Sequence, residues 1–184
     1  DEEQLKERTA MKNKTLADKR FRQALSLAIN RRDIIQTEYA GIVEPAQFDP
    51  GRESPFHNPN LFNSFTQYDS AGANRLLDEI GLTRRDDEGF RMFPDGTRMT
   101  FFLNMCEFTG FGPSQFMIDD WRNVGVRVIP RMDSRNLWRR HFYALEHDMT
   151  VWTGESEFFP LVIRQCYAPQ TSYSWFAPAY GYWY

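Results

Sequence analysis

Apolar residues recur at helical spacing first in LADKRFRQALSLAIN, where Phe21, Ala24, Leu25, Ala28 and Ile29 fall on one stripe. Lys19, Arg20, Arg22 and Gln23 lie mostly elsewhere, and Asp18 stands where an N-cap is needed. Asn30 with Asp33 three residues on predicts a second, short helix carrying Ile34, Ile35 and Tyr39 and ending at Gly41. Residues 42–67 contain Pro45, Pro50, Pro55 and Pro59 among Asn, Ser and Gly, which predicts a long extended connection. Asp69 then opens a helix with Ala73, Leu76, Leu77 and Ile80 on one stripe, closed by Gly81. Two turn signals, DDEG and PDG, flank Phe90 to Phe93 and predict a small hairpin.

Beyond that point the pattern alternates. A strand from Met99 to Met105, a helix over 113–124, a strand over 126–132, a helix over 134–145 and a strand over 148–152 follow in order. Strand, helix, strand, helix, strand implies parallel pairing with right-handed crossovers, hence an α/β fold with a mostly parallel sheet and flanking helices. The charged start DEEQLKERTAMKNK shows no such stripe, so residues 1–14 read as a poorly ordered segment or linker.

Composition narrows the function. With 184 residues the chain can build one core, and 22 Lys plus Arg against 25 Asp plus Glu give a net charge of −3. That balance supplies no basic excess for nucleic acid or an acidic membrane surface. The sequence shows neither a signal-peptide pattern nor an apolar run long enough to span a membrane, and it ends on YGYWY, which reads as a fragment of a larger protein. Cys106 and Cys166 lack zinc or redox spacing; they would pair only if their α-carbons came within about 7 Å. His57, His141 and His147 are dispersed, no residue set has metal-ligand spacing, and nucleophile elbows and phosphate loops are missing, so no metal or cofactor is expected.

In open α/β sheets ligands bind beyond the carboxyl ends of the strands. This selects Asn104 to Gly112, Met132 to Asn136 and, above all, the segment WTGESEFFP from Trp152 to Pro160. An indole, a flexible Gly154 and the carboxylates Glu155 and Glu157 can together hold an ammonium or sugar hydroxyls, though a solvated loop is the plain alternative. The two carboxylates also invite a carbohydrate-processing enzyme, yet residues i and i+2 of an extended loop lie only about 6 to 7 Å apart, which leaves little room for a sugar between them. Ten aromatic residues crowd the stretch from Phe158 to Tyr184, the aromatic loop region over 161–184, which suits either a cleft for sugars or peptides or the cover of a sheet edge.

DKRFRQALSLAINRRDII, YAGIVEPA, YDSAGANRLLDEIGL, the PDG turn with its strand, a helix ending in NVGVRV and HDMTVWTGES occur in one order. Over about residues 15–160 this series resembles the family-5 solute-binding proteins of ABC importers, the oligopeptide, dipeptide and nickel group. The resemblance implies one lobe of a two-lobed periplasmic binding protein-like fold, with residues 1–184 a part of the C-terminal lobe. It implies capture of a peptide or oligosaccharide outside the cytoplasmic membrane and delivery to permease subunits. It also implies a monomer that meets the membrane only through the permease or a lipid anchor outside this stretch. Peptide-binding relatives carry roughly W-x-A-D-Y-x-x-P, whose acid meets the peptide's α-amino group; Trp152, Gly154 and Glu155 match, the acid one methylene longer and followed by SEFFP. The ligand-binding residues expected are therefore Trp152, Thr153, Gly154 and Glu155, joined by Tyr167 and Trp175 from the aromatic loop. Binding rather than catalysis is expected, with the carbohydrate-processing enzyme and a non-transport sensing lobe as the alternatives.

Overall fold

The computed structural model describes residues 2–109, 111–153, 160–175 and 177–183. Helices α1 (Glu2–Ala17), α2 (Lys19–Ala28) and α3 (Arg31–Glu38) come first, followed by a prolyl loop holding the single turn α4 (Pro59–Phe62), and then α5 (Ser70–Glu79). The sheet follows as β1 (Thr100–Cys106), α6 (Gly112–Asn123), β2 (Arg127–Asp133), α7 (Arg135–Tyr143) and β3 (Met149–Thr150), and α8 (Pro178–Trp183) lies beyond. Strand order is β2-β1-β3, and β1 pairs parallel to both neighbours, Thr100 beside Arg127 and Leu103 beside Met149. The α/β class and parallel sheet read from the sequence are those of the structure.

The period of two along β1 divides the molecule into layers. Phe101, Leu103 and Met105 are buried on one face in a core that also contains Phe21 and Leu25 of α2, Leu77 of α5, and Ile118 and Trp121 of α6. Cys106 belongs instead to a smaller cluster with Trp138 and Phe142 of α7, so α7 covers the opposite face. Small residues let α2 and α5 lie close, with Ala24, Ala28, Gly72 and Ala73 all buried. Trp121 Nε1 donates to the Leu25 carbonyl (2.9 Å), which satisfies the indole while its ring fills the core.

Local chemistry sets the helix ends. Asp18 and Asp69 accept from the Arg20 and Gly72 amides. Gly125 closes α6 with a φ of +85°, and a Cβ there would meet the Arg85 guanidinium. Between α5 and β1 the hairpin region shows only isolated antiparallel bridges, Arg85 with Arg91 and Met92 with Arg98. Arg91 is buried. Its guanidinium donates to Asp78 Oδ1 (2.5 Å), Asn74 Oδ1 (2.7 Å) and the Val124 carbonyl (2.9 Å), tying α5 to the end of α6.

Three stretches differ from the sequence reading. Of residues 1–14, expected to be a poorly ordered segment or linker, residues 2–14 lie in α1, which buries none of its residues and so carries no apolar stripe to reveal it. Lys12 of α1 reaches Asp148 Oδ2 (2.6 Å), and the same oxygen accepts from the Phe102 amide (2.9 Å), which joins the helix to the sheet edge. Strand 148–152 is only Met149–Thr150: before it the Asp148 carboxylate takes the Phe102 amide, and after it the Val151 amide still donates to the Asn104 carbonyl (3.1 Å). The loop over 42–67 is pinned: Gln47 Nε2 donates to Ser26 Oγ and the Ser64 carbonyl. Asp49 meanwhile accepts from the Gly51 and Asn58 amides and contacts His57 Nδ1 at 2.6 Å. Burial raises the Asp49 pKa, but hydrogen bonds from His57, Asn58 and Gly51 more than offset it and hold the carboxyl below its ordinary value.

Candidate functional site

Trp152 and Thr153 leave the carboxyl end of β3, where the ends of β1 and β2 also open. The site is a stack of rings. His147, Phe142, Trp138 and Trp152 lie nearly parallel in succession, with centroid separations of 5.2, 5.0 and 4.4 Å, and Trp175 meets Trp152 edge-on at 4.9 Å. Helical spacing explains the middle of the stack, since Trp138 and Phe142 are four residues apart on one face of α7. Trp138 Nε1 donates to Thr150 Oγ1 (2.9 Å), which donates to the Asn104 carbonyl (3.2 Å), so the indole ring is held against β3.

Trp138 and Phe142 are buried, whereas Trp152 is only half-buried. Its free part faces a cavity of about 520 Å³ lined by Phe48, Thr150, Trp152, Thr153, Cys166, Tyr167 and Trp175. Four residues singled out from sequence, Trp152, Thr153, Tyr167 and Trp175, therefore share one cavity. Gly154 and Glu155, like Glu157, lie outside the described residues. Cys106 and Cys166 are both buried, and only Cys166 lines this cavity.

Three lining residues escaped the sequence reading. Thr150 stands two before Trp152 in the strand reading DMTVW, and the period of two was signal enough to place both on one side. Phe48 comes from the prolyl loop, where it meets Tyr167 at 5.0 Å, and the pinning of that loop by Gln47 and Asp49 is long-range information. Cys166 arrives with the 3-10 turn Arg164–Cys166 that also presents Tyr167.

No charged side chain among the described residues lines this cavity. A cation sits at its margin: the Arg135 guanidinium lies 5.3 Å from the Phe108 ring centre and 5.7 Å from that of Trp152. The arrangement offers flat apolar faces with hydroxyls of Thr150, Thr153 and Tyr167 between them, which suits a guest that is part apolar and part hydrogen-bonding. Burial lowers the His147 pKa at the foot of the stack and raises that of Tyr143 beside it. His57 and His141 each face a carboxylate, Asp49 and Asp133, at 2.6 and 2.9 Å. Among the described residues no group of three His, Cys, Asp or Glu could hold a metal ion, and no helix is long and apolar enough to cross a membrane.

An α/β layer with a cavity at its strand ends is the setting in which open parallel sheets hold ligands. Residues 7–160 match the family of bacterial extracellular solute-binding proteins, family 5, middle region, and the chain belongs to that family. Among solved structures it is similar to an oligopeptide-binding protein, OppA, with 35% identity over 80% of this chain and 23% of that one, at a TM-score of 0.68. The periplasmic binding protein MelB of Agrobacterium fabrum, in complex with stachyose, shares the fold at 19% identity, over 91% of this chain and 26% of its own, with a TM-score of 0.74. AppA of Bacillus subtilis, in complex with a nonapeptide, does so at 21% identity, over 81% and 30%, with a TM-score of 0.62. The chain thus spans less than a third of the length of these relatives. No curated protein sequence matches it.

Proposed function

We propose that this chain forms part of the C-terminal lobe of the binding component of an ABC-type importer. That component captures a peptide or an oligosaccharide in the periplasm or outside the cell and hands it to membrane permease subunits. The observation that carries the reading is the cavity at the end of β3, walled by Trp152, Trp175, Tyr167 and Phe48 with threonine hydroxyls between. Family membership and relatives holding stachyose or a nonapeptide support it. Trp152 offers its open face to the guest, Thr153 and Thr150 supply hydrogen bonds, and Gly154 and Glu155 are carried as further ligand-binding residues on the family resemblance alone. Capture proceeds by closure of the second lobe over this one, and the guest stabilises the closed form because its contacts are complete only there. The reading requires no bond to be broken and no cofactor, and the component acts as a monomer.

Mass spectrometry of small molecules released on denaturing the full-length binding protein tests this directly. The expected result is a peptide or oligosaccharide mass that is lost from a Trp152→Ala variant. Release of no such molecule, together with no calorimetric heat from peptide or oligosaccharide libraries, would sink the reading.

A further inference from the structure

Beside the aromatic cavity lies a second one of about 450 Å³, and Trp175 is a wall of both. Its chemistry is different. Arg139, Arg164, Gln165 and Gln170 line it together with Tyr143 and Tyr173, whose rings meet edge-to-face at 5.3 Å. No Asp or Glu among the described residues lines this annex. Arg127 and Arg91, by contrast, each meet a carboxylate, at 3.0 and 2.5 Å. Arg139 and Arg164 have no such partner among the described residues.

The two arginines are brought together by different devices. On α7, Arg135 and Arg139 are four residues apart, along one edge of the stripe centred on buried Trp138 and Phe142. Arg135 therefore stands over Trp152 at the aromatic cavity, and Arg139 stands one turn further along, at the annex. Arg164 is fixed through its backbone: its carbonyl accepts from the Tyr167 and Ala168 amides (3.0 and 2.8 Å), and Gln165 accepts from the Trp175 amide (2.9 Å). Ser174, fully buried, donates to the Ala168 carbonyl and closes the turn. A rigid backbone thus presents one guanidinium while a helix presents the other.

Two guanidinium groups without a carboxylate make a cavity wall that favours an anion, and their planar forks match the two oxygens of a carboxylate. Two flanking glutamines can donate or accept around it. We propose that the annex holds a carboxylate of the same guest whose uncharged part lies against Trp152 and Trp175. This rests on the aromatic cavity being the ligand site. A carboxylate could come from a peptide's C-terminus or from an acidic sugar, and both place an anion beside an otherwise neutral body.

Calorimetry on the full-length binding protein separates the sources with two matched pairs, a short peptide against its C-terminal amide and an oligogalacturonate against its methyl ester. In one pair the acid should bind roughly tenfold more tightly than its neutral twin, as expected for exposed but charge-assisted contacts. The pair that shows this names the source. In the double variant Arg139→Gln, Arg164→Gln the acid should fall to the affinity of its twin, with the twin unmoved. Equal affinities within both pairs, a preference that survives the double variant, or no binding of either acid at millimolar concentration overturns the proposal. Trp152→Ala checks the reading beneath it: both twins should weaken, and if both keep their affinity the aromatic cavity is not the site, whatever the arginines do.

Discussion

The sheet core and the aromatic stack bury side chains of similar size for different ends. Around β1, Phe21, Phe101, Leu77 and Val126 are shielded on every side, and their neighbours come from α2, α5 and α6 at once. In the stack, burial fades along one direction, from Trp138 and Phe142, which are buried, to Trp152, which is half-buried at the cavity. A ring closed in on all faces contributes only to stability. One that rests on a buried partner and leaves a face open is positioned by the fold yet free to bind, so stability and binding should separate cleanly between the two regions.

The largest effect expected is that of Phe101→Ala. Phe101 is fully buried with Phe21 at 5.4 Å and Phe93 at 6.5 Å, and emptying its site should cost about 3–5 kcal/mol of folding free energy. Urea unfolding reads this, and a loss below about 1 kcal/mol would show that the core collapses around the gap. Next comes Trp152→Ala, with the opposite signature. Folding should weaken by only about 1–2 kcal/mol, since Trp152 is half-buried at the edge of its cluster. Ligand affinity should drop about 100-fold, because the ring is the floor of the cavity. Trp152→Phe should recover part of it. A comparable fall in stability and affinity would erase the distinction between the regions.

The core was far more legible in the sequence than the site, and the residues show why. Phe21, Ala24, Leu25 and Ala28 recur at helical spacing, Asp18 and Asp69 are caps, and Gly81 and Gly125 have left-handed backbones at helix ends. All of these are local signals. The site joins the end of β3 to a loop 100 residues earlier and to the turns of 160–175. Trp152, Thr153, Tyr167 and Trp175 could be named for their chemistry, but Phe48 reaches them only because Gln47 is bonded to Ser26 and Ser64. The annex was unreadable for a related reason: neither Arg139 on a helix nor Arg164 in a loop is unusual until tertiary packing sets them around one cavity. Helix α1 buries none of its residues, and Lys12 ties it to the sheet through Asp148 and the Phe102 ring.

That tie gives the third test. Asp148 accepts from both Lys12 Nζ and the Phe102 amide, and both partners are partly buried. Asp148→Ala should lower stability by about 1–2 kcal/mol, chiefly by leaving the Phe102 amide without an acceptor. Protection of α1 amides against hydrogen exchange should fall further than that of β1 if the pair anchors the helix. Equal loss in both would mean that α1 is held by its apolar contacts, Met11 and Leu16 against the core.

The smallest effect should come from His147, at the end of the stack away from the cavity. Burial is the main cause of its lowered pKa, opposed by a hydrogen bond with the His141 backbone and by the charge of Asp148. Its Nδ1 has no hydrogen-bond partner among the described residues, and its ring lies against Phe142 at 5.2 Å. Below the ordinary value of 6.5 the unfolded chain takes up a proton that the folded one still refuses. The contribution of the neutral ring is therefore complete above pH 6.5 and declines as the pH falls from there toward the lowered folded value. His147→Phe keeps a stacked ring and removes the titration. Its urea midpoint should consequently fall less than the native protein's between pH 6.5 and 5. Identical slopes would place the proton uptake elsewhere and leave the stack as insensitive to acid as the core around Phe101.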